Sequence, residues 1–447
     1  MTQPAEEIPA RVPETAKQAG EVRQRWEWTE PAVWTERMLT ALENGVKGGQ
    51  WFSLIDKVYA PGNLQRAFER VKANGGAPGV DYQTVEMFEA HLEQNLEQIA
   101  QALKGGTYRP QPVKRVWIPK PGSQERRPLG VPTVRDRVVQ TALRHVLEPI
   151  FERDFAEQSY GFRPKRGAKG ALRCVDSLLK AGYHWVVDAD LKSYYDTIPH
   201  PQMLERVGER IADGRIMTLV EAMLKQGVMD SMREWQPEEG TPQGAVISPL
   251  LSNIYLNPLD QQMRDSGLQM IRYADDFVIL CRSEAEAKQA LAEVQAWTVE
   301  AGLTLHPDKT RIVDVTQPGG FDFLGYHFEA GQRWPRRKSL RKFRDSIRQK
   351  TQRNNGYSLS VIILNVNRTL KGWFQYFQHS RRMTFVVLDG WVRMRLRSIL
   401  RHRHGGRGRG RGLDHHRWPN AFFAEHGLYS LAVAHAQVRQ SSSEVNH

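Results

Sequence analysis

The sequence predicts an α+β fold that gives way to an all-helical region beyond about residue 335. Three observations carry this reading. Extended, β-prone segments occur near 113–118, 184–190 and 269–281; apolar residues at helical spacing lie between them; and past residue 335 the helical pattern is almost unbroken. Residues 1 to about 50 are rich in Pro, Glu and Gln, with Trp26, Trp28 and Trp34 the only large anchors, so 1–50 reads as a flexible arm. From Trp51 to about Leu103 the pattern is helical, with Phe88, Leu92, Leu96, Ile99 and Leu103 in phase, broken by NGGAPGVD at 74–81. The character changes at Tyr108. Prolines 110, 112, 119, 121 and 128 break helix while Val113, Val116, Trp117 and Ile118 favour extended chain, so a basic β-hairpin is expected, then a helix from about Val134. A strand at 184–190 follows, then helices near 201–212, 216–226 and 247–261, a hairpin at 269–281 and a helix at 284–301. The tract HRHGGRGRGRG at 402–412 reads as flexible and cationic, either a linker or a segment that meets nucleic acid.

Composition narrows the class. With 447 residues the chain has room for two or three cores, and 40% hydrophobic against 25% charged residues is ordinary for globular protein. No run approaches the ~20 apolar residues of a membrane span, and the N-terminus lacks a basic region followed by an apolar one, so a cytoplasmic protein without membrane contact is expected. Two cysteines, Cys174 and Cys281, are too few for a disulfide framework or a four-cysteine zinc site. Charge is informative once located. Residues 333–417 hold 23 Lys and Arg against three acids, a net of +20, whereas the remainder nets −7. Packing the cations into one segment is what a phosphate-neutralising surface needs.

The sharpest local feature is MIRYADDFVIL at 270–280, a hairpin with two adjacent aspartates at its tip. Adjoining carboxylates repel and resist ionisation unless a cation neutralises them; hard oxygen ligands on a rigid turn suit Mg²⁺. A second acidic strand end lies in WVVDADLKSYYDT at 185–197, where Asp188 and Asp190 share a strand face. Together the two segments could supply a two-metal centre for in-line phosphoryl displacement. Alone, a DD pair in a turn is more often a solvated turn or a cap, and Asp188 equally a structural partner.

The conjunction resembles the group II intron-encoded reverse transcriptases and maturases of bacterial type. The resemblance rests on Asp190-Leu-Lys-Ser-Tyr194-Tyr195-Asp196, on Tyr273-Ala274-Asp275-Asp276, and on GTPQGAVISPLLSNIYLNPLD at 240–260 between them. LHPDKT at 305–310, FLGYHF at 323–328 and RVWIPKPGSQERRPLGVPTVRDRVVQTAL at 115–143 follow the same order, and the likeness covers roughly 55 to 440. It implies a right-hand polymerase: N-terminal extension and fingers at 51–165, palm with interleaved fingers elements at 166–335, and helical thumb and maturase region at 336–447. It further implies Asp190, Asp275 and Asp276 as ligands of two Mg²⁺, with Asp188 off the ligand position. Lys120 and Arg127 would meet the triphosphate of an incoming dNTP, and Gln243 would help hold the nucleotide. Lys309 has two readings, a donor to departing pyrophosphate or a solvated loop lysine. Tyr195 also has two: an aromatic that blocks a 2′-hydroxyl and selects deoxynucleotides, or a packing residue, since Tyr194 and Tyr195 point to opposite faces and one must be core.

In the tail, Ile363, Val366, Leu370, Phe374 and Phe377 form one helical stripe, and Leu388, Trp391, Val392, Leu396 and Ile399 another; both read as core. Arg393, Arg397 and Arg401 line an adjacent face, where like charges four apart call for an anionic partner, read as RNA. LKGWFQYF at 370–377 and RWPNAFFAEHGLYSL at 417–431 resemble the family's thumb and maturase segments, which implies binding of parent group II intron RNA and support of splicing and retrohoming. The sequence ends without the Cys- and His-rich endonuclease domain of many members, so the endonuclease-lacking members are the nearer likeness. The expected activity is RNA-directed DNA polymerisation on an RNA template with a DNA or RNA primer. The alternatives are a maturase acting only as an RNA-binding splicing cofactor, and a reverse transcriptase recruited to phage defence or CRISPR adaptation.

Overall fold

The computed structural model describes residues 19–119, 126–230 and 233–444. Within these, eleven strands form three sheets: β1 Val113–Pro119, β2 Arg126–Val131, β3 Trp185–Asp190, β4 Val228–Asp230, β5 Arg233–Trp235, β6 Gln269–Tyr273, β7 Asp276–Cys281, β8 Arg311–Asp314, β9 Phe321–Phe323, β10 Tyr326–Glu329 and β11 Gln332–Pro335. The central sheet runs β6-β7-β3-β8, antiparallel throughout. Period two divides its side chains between two cores. Val187, Ala189, Phe277 and Ile279 face one core, shared with helix Ser248–Asp265. Val186, Val278 and Leu280 face the other, with helix Ala168–Lys180 and the β9-β10-β11 meander. The expected hairpins and helices of 108–301 are present, with helices at His200–Gly208, Gly214–Leu224 and Glu284–Glu300.

The second sheet, β2-β1-β4-β5, includes the basic hairpin, and β1 pairs parallel to β4. The short β4 and β5 carry no alternation long enough to signal a strand. Helix Val134–Glu152 starts where the Thr133 hydroxyl accepts from the Asp136 N–H, and the Gly-rich break at 74–81 docks on it. There the Arg137 guanidinium donates to the Gly75 and Ala77 carbonyls, and Gly79 lies so close to the Thr133 backbone that a Cβ would come within 2.7 Å.

Residues 19–50 differ from the loose arm expected of them. They form helices Ala19–Arg25 and Glu36–Asn44, and Trp26 and Trp34 are buried. The Trp34 indole N–H donates to the His145 carbonyl at 2.8 Å and its ring meets Trp51 edge-on. The physical reason is that a few buried aromatics, each worth roughly 1.5–3 kcal/mol, outweigh a polar average over the segment.

Beyond β11 the chain is helical: Arg337–Lys350, Leu359–Phe377, Arg382–Arg403, Asp414–Arg417, Asn420–Glu425 and Leu431–Glu444. Both apolar stripes are interior, apart from half-buried Trp391, and they build a core of their own with Phe343, Ile347 and Phe423, except Phe377, which joins the core under the meander. Among the described residues no helix is long and apolar enough to cross a membrane.

Candidate active site

Strand pairing brings the acidic segments together. Asp190 at the end of β3 stands directly opposite Asp276 at the start of β7, although 86 positions separate them in the chain. By period two both lie on the face of Val186 and Val278, and Asp275 occupies the β6–β7 turn between Ala274 and Asp276. Burial, together with the neighbouring Asp188, Asp275 and Asp190 charges, pushes the Asp276 carboxyl up to about 7. Burial raises Asp275 as well, with Asp190 adding to it. The Lys309 ammonium sits on Asp190, Nζ to Oδ2 at 2.5 Å, and the His306 N–H donates to the Asp190 carbonyl at 2.7 Å, so the LHPDKT turn is fastened to the acidic strand end. Asp188 pairs with Arg311 at 3.3 Å. Among the described residues no three His, Cys, Asp or Glu side chains already close as a metal cage. The donor set nonetheless fits Mg²⁺: hard oxygens that destabilise one another's charge, one already balanced by a cation.

Of the nucleotide-binding candidates, Arg127 and Tyr195 are near enough to feel the Asp275 charge and Lys309 pairs with Asp190, while Lys120 lies outside the described residues. Arg127 in β2 pairs with Ile118, and its charge pulls the Asp275 carboxyl downward against the effect of burial. Gln243 lies against the same strand, its carbonyl accepting from the Gly130 N–H at 2.6 Å. Gly244, at φ +108°, permits this approach, since a Cβ there would meet the Gly130 oxygen at 2.6 Å. Of the tyrosine pair, Tyr194 is the core residue, its hydroxyl donating to the Ser252 carbonyl at 2.9 Å. Tyr195 is half-buried and lines a cavity of about 200 Å³ with Gln243, Arg115 and Asp196.

A larger basic cleft went unread in the sequence. A cavity of about 900 Å³ is lined by Arg25, Arg153, Lys165, Arg166, Lys169 and Arg173, among others, and reaches Tyr376, whose hydroxyl feels the Asp276 charge. The signal was present in FRPKRGAKGALR at 162–173, but it sits inside the acid-balanced part of the chain.

The arginine row on helix Arg382–Arg403 does not form one solvent face. Arg397 is buried: its Nε donates to the Trp418 carbonyl and an Nη to Asn420 Oδ1, each at 2.8 Å. Arg401 donates to Asp414 at 2.6 Å and to the Arg407 carbonyl, while Arg393 is half-buried. The expectation of RNA contact is corrected for Arg397, because the chain after the helix folds back over this face. The Gly/Arg tract is part of that return, with the Gly410 N–H donating to Ser398 Oγ and Gly406 N–H to the Arg401 carbonyl.

Comparison with known proteins matches residues 118–328 to the family described as reverse transcriptase (RNA-dependent DNA polymerase), and 340–418 to the group II intron, maturase-specific domain. Protein YkfC of Escherichia coli (strain K12) is 34% identical over 354 residues, spanning 70% of this chain and 91% of YkfC. Group II intron-encoded protein LtrA of Lactococcus lactis subsp. cremoris is 38% identical over 197 residues, covering 44% of this chain and 32% of LtrA. Nuclear intron maturase 2, mitochondrial, of Arabidopsis thaliana is 28% identical over 251 residues, 47% of this chain and 34% of its own. The chain thus spans most of YkfC but only about a third of the other two.

Proposed function

The chain belongs to the group II intron-encoded reverse transcriptases and maturases, and on that premise we propose that it extends primers along RNA with Asp190, Asp275 and Asp276 holding two Mg²⁺. The observation that carries the proposal is the β3–β7 register, which sets Asp190 opposite Asp276 with Asp275 on the adjoining turn. Bound there, the metal pair would lower the energy of charge developing on the attacking and leaving oxygens. The residues supply the rest. Arg127, reaching from the fingers hairpin, orients the dNTP triphosphate, together with Lys120, and Gln243 supports the nucleotide. Tyr195 crowds the 2′ position of the sugar. Lys309 sits within reach of the acidic edge to neutralise departing pyrophosphate. The primer 3′-hydroxyl attacks the α-phosphate, pyrophosphate leaves, and the basic cleft reaching Tyr376 carries template and primer phosphates.

The maturase-like region serves intron RNA, and its exposed cations on helix Arg337–Lys350 favour phosphate contacts over base reading. Primer extension on an RNA template with Mg²⁺ tests the polymerase reading. Asp275→Ala and Asp276→Asn should each abolish extension while leaving binding of the template–primer duplex within a few-fold. Undiminished extension by both variants would overturn the assignment.

A further inference from the structure

Arg272 is one residue from the Ala-Asp-Asp turn and has no exposed surface, in a strand whose neighbours are apolar. A buried guanidinium must find partners for all its donors, and here they are specific. Its Nε and Nη2 grip both oxygens of Asp260, at 2.8 and 2.5 Å. Its Nη1 donates to Asn253 Oδ1 at 3.0 Å and to the Ala274 carbonyl at 2.8 Å. Asn253 and Asp260 are two helical turns apart on Ser248–Asp265, so one helix face holds the whole fork. Asn253 in turn donates to the Gly161 carbonyl at 2.8 Å. Gly161 packs so tightly on the turn that a Cβ would stand 2.2 Å from the Ala274 nitrogen. The Arg272 backbone is clasped as well, accepting from the Tyr160 N–H and donating to the Gln158 carbonyl.

Two of these contacts, the Arg272 Nη1–H on its carbonyl and the Gly161 backbone against its nitrogen, meet at Ala274, at φ +60°, a left-handed conformation that an L-residue other than glycine resists. The next two residues are Asp275 and Asp276. We infer that Arg272, seated on Asp260 and Asn253, is a positioning residue that fixes the left-handed Ala274 turn and so aims the two aspartates. It touches neither substrate nor the reacting atoms; it acts through the Ala274 carbonyl. Lysine keeps the charge but lacks the fork that reaches Asp260, Asn253 and Ala274 together.

This inference rests on the metal-holding reading of Asp275 and Asp276, so the experiment separates the two. Primer extension is measured against Mg²⁺ and against dNTP concentration for wild type, Arg272→Lys and Asp276→Asn, with thermal melting alongside. Arg272→Lys should lower kcat by up to roughly 10²-fold, the scale of an ångström's misplacement. It should raise the Mg²⁺ concentration for half-maximal activity several-fold and leave the dNTP KM nearly unchanged. If that variant does not fold, Asn253→Ala, which keeps the Asp260 grip, should give the same signature at smaller amplitude. Wild-type kcat and Mg²⁺ dependence in a folded variant would overturn the positioning role, provided Asp276→Asn is inactive. Activity in Asp276→Asn would instead strike at the metal reading itself.

Discussion

At Asp276, the proposed function and stability pull in opposite directions. Its carboxyl is raised to about 7 from the ordinary 3.8, first by burial and then by Asp188, Asp275 and Asp190. The folded, metal-free protein therefore keeps a proton that the unfolded chain has released between those values. Stability from this group is present at the acid end of that window and is lost as pH rises towards 7. Asp276→Asn removes the penalty. In a chelator the variant should melt above wild type at pH 8, with the gap narrowing by pH 5, even though it fails in extension. Scanning calorimetry of both proteins at the two pH values checks this, and an equal gap at both would contradict it. The pair was legible in the sequence because its tip interrupts an apolar hairpin. The Arg272 fork behind it was not, since a lone arginine in a strand gives no sign of a carboxylate twelve residues upstream on a helix.

A helix shows its period before it shows which faces are covered. In Arg382–Arg403 the apolar stripe was readable, and it is buried. The arginine row looked like its solvent side, yet a return segment at 405–423 covers part of it and draws Arg397 inside. Nothing local in the helix encodes that return. Arg397→Ala should therefore act on the fold, leaving the Trp418 carbonyl and Asn420 without their donor, at a cost of roughly 2–3 kcal/mol. Urea unfolding measures this, and unchanged stability would restore the row to the surface. The N-terminal helices teach the same lesson from the other side. Trp26 and Trp34 were visible as anchors, but their receiving surface, the core around Trp51 and helix Val134–Glu152, is assembled from distant chain.

Across the whole molecule, charge is partitioned: +20 in residues 333–417 and −7 elsewhere. RNA affinity should accordingly fall steeply with salt. On helix Arg337–Lys350 the side chains of Lys338, Arg341 and Lys342 are exposed. Replacing all three with Gln should flatten the slope of log affinity against log salt by about 2, given about 0.7–0.9 per phosphate contact, with melting unchanged. Filter binding of structured intron RNA across a salt series reads it directly, and an unaltered slope would send the search for the RNA face elsewhere. The central sheet gives this architecture its last consequence. One face is cemented to the core that holds helix Ser248–Asp265 and the other to the meander that leads into the C-terminal helices, along a ladder six pairs long. The carboxylates thus sit on a keel between two hulls. On the proposed function, a growing duplex tugging on either side would load the part of the molecule best braced to absorb it, and the acidic edge would hold still from one nucleotide to the next.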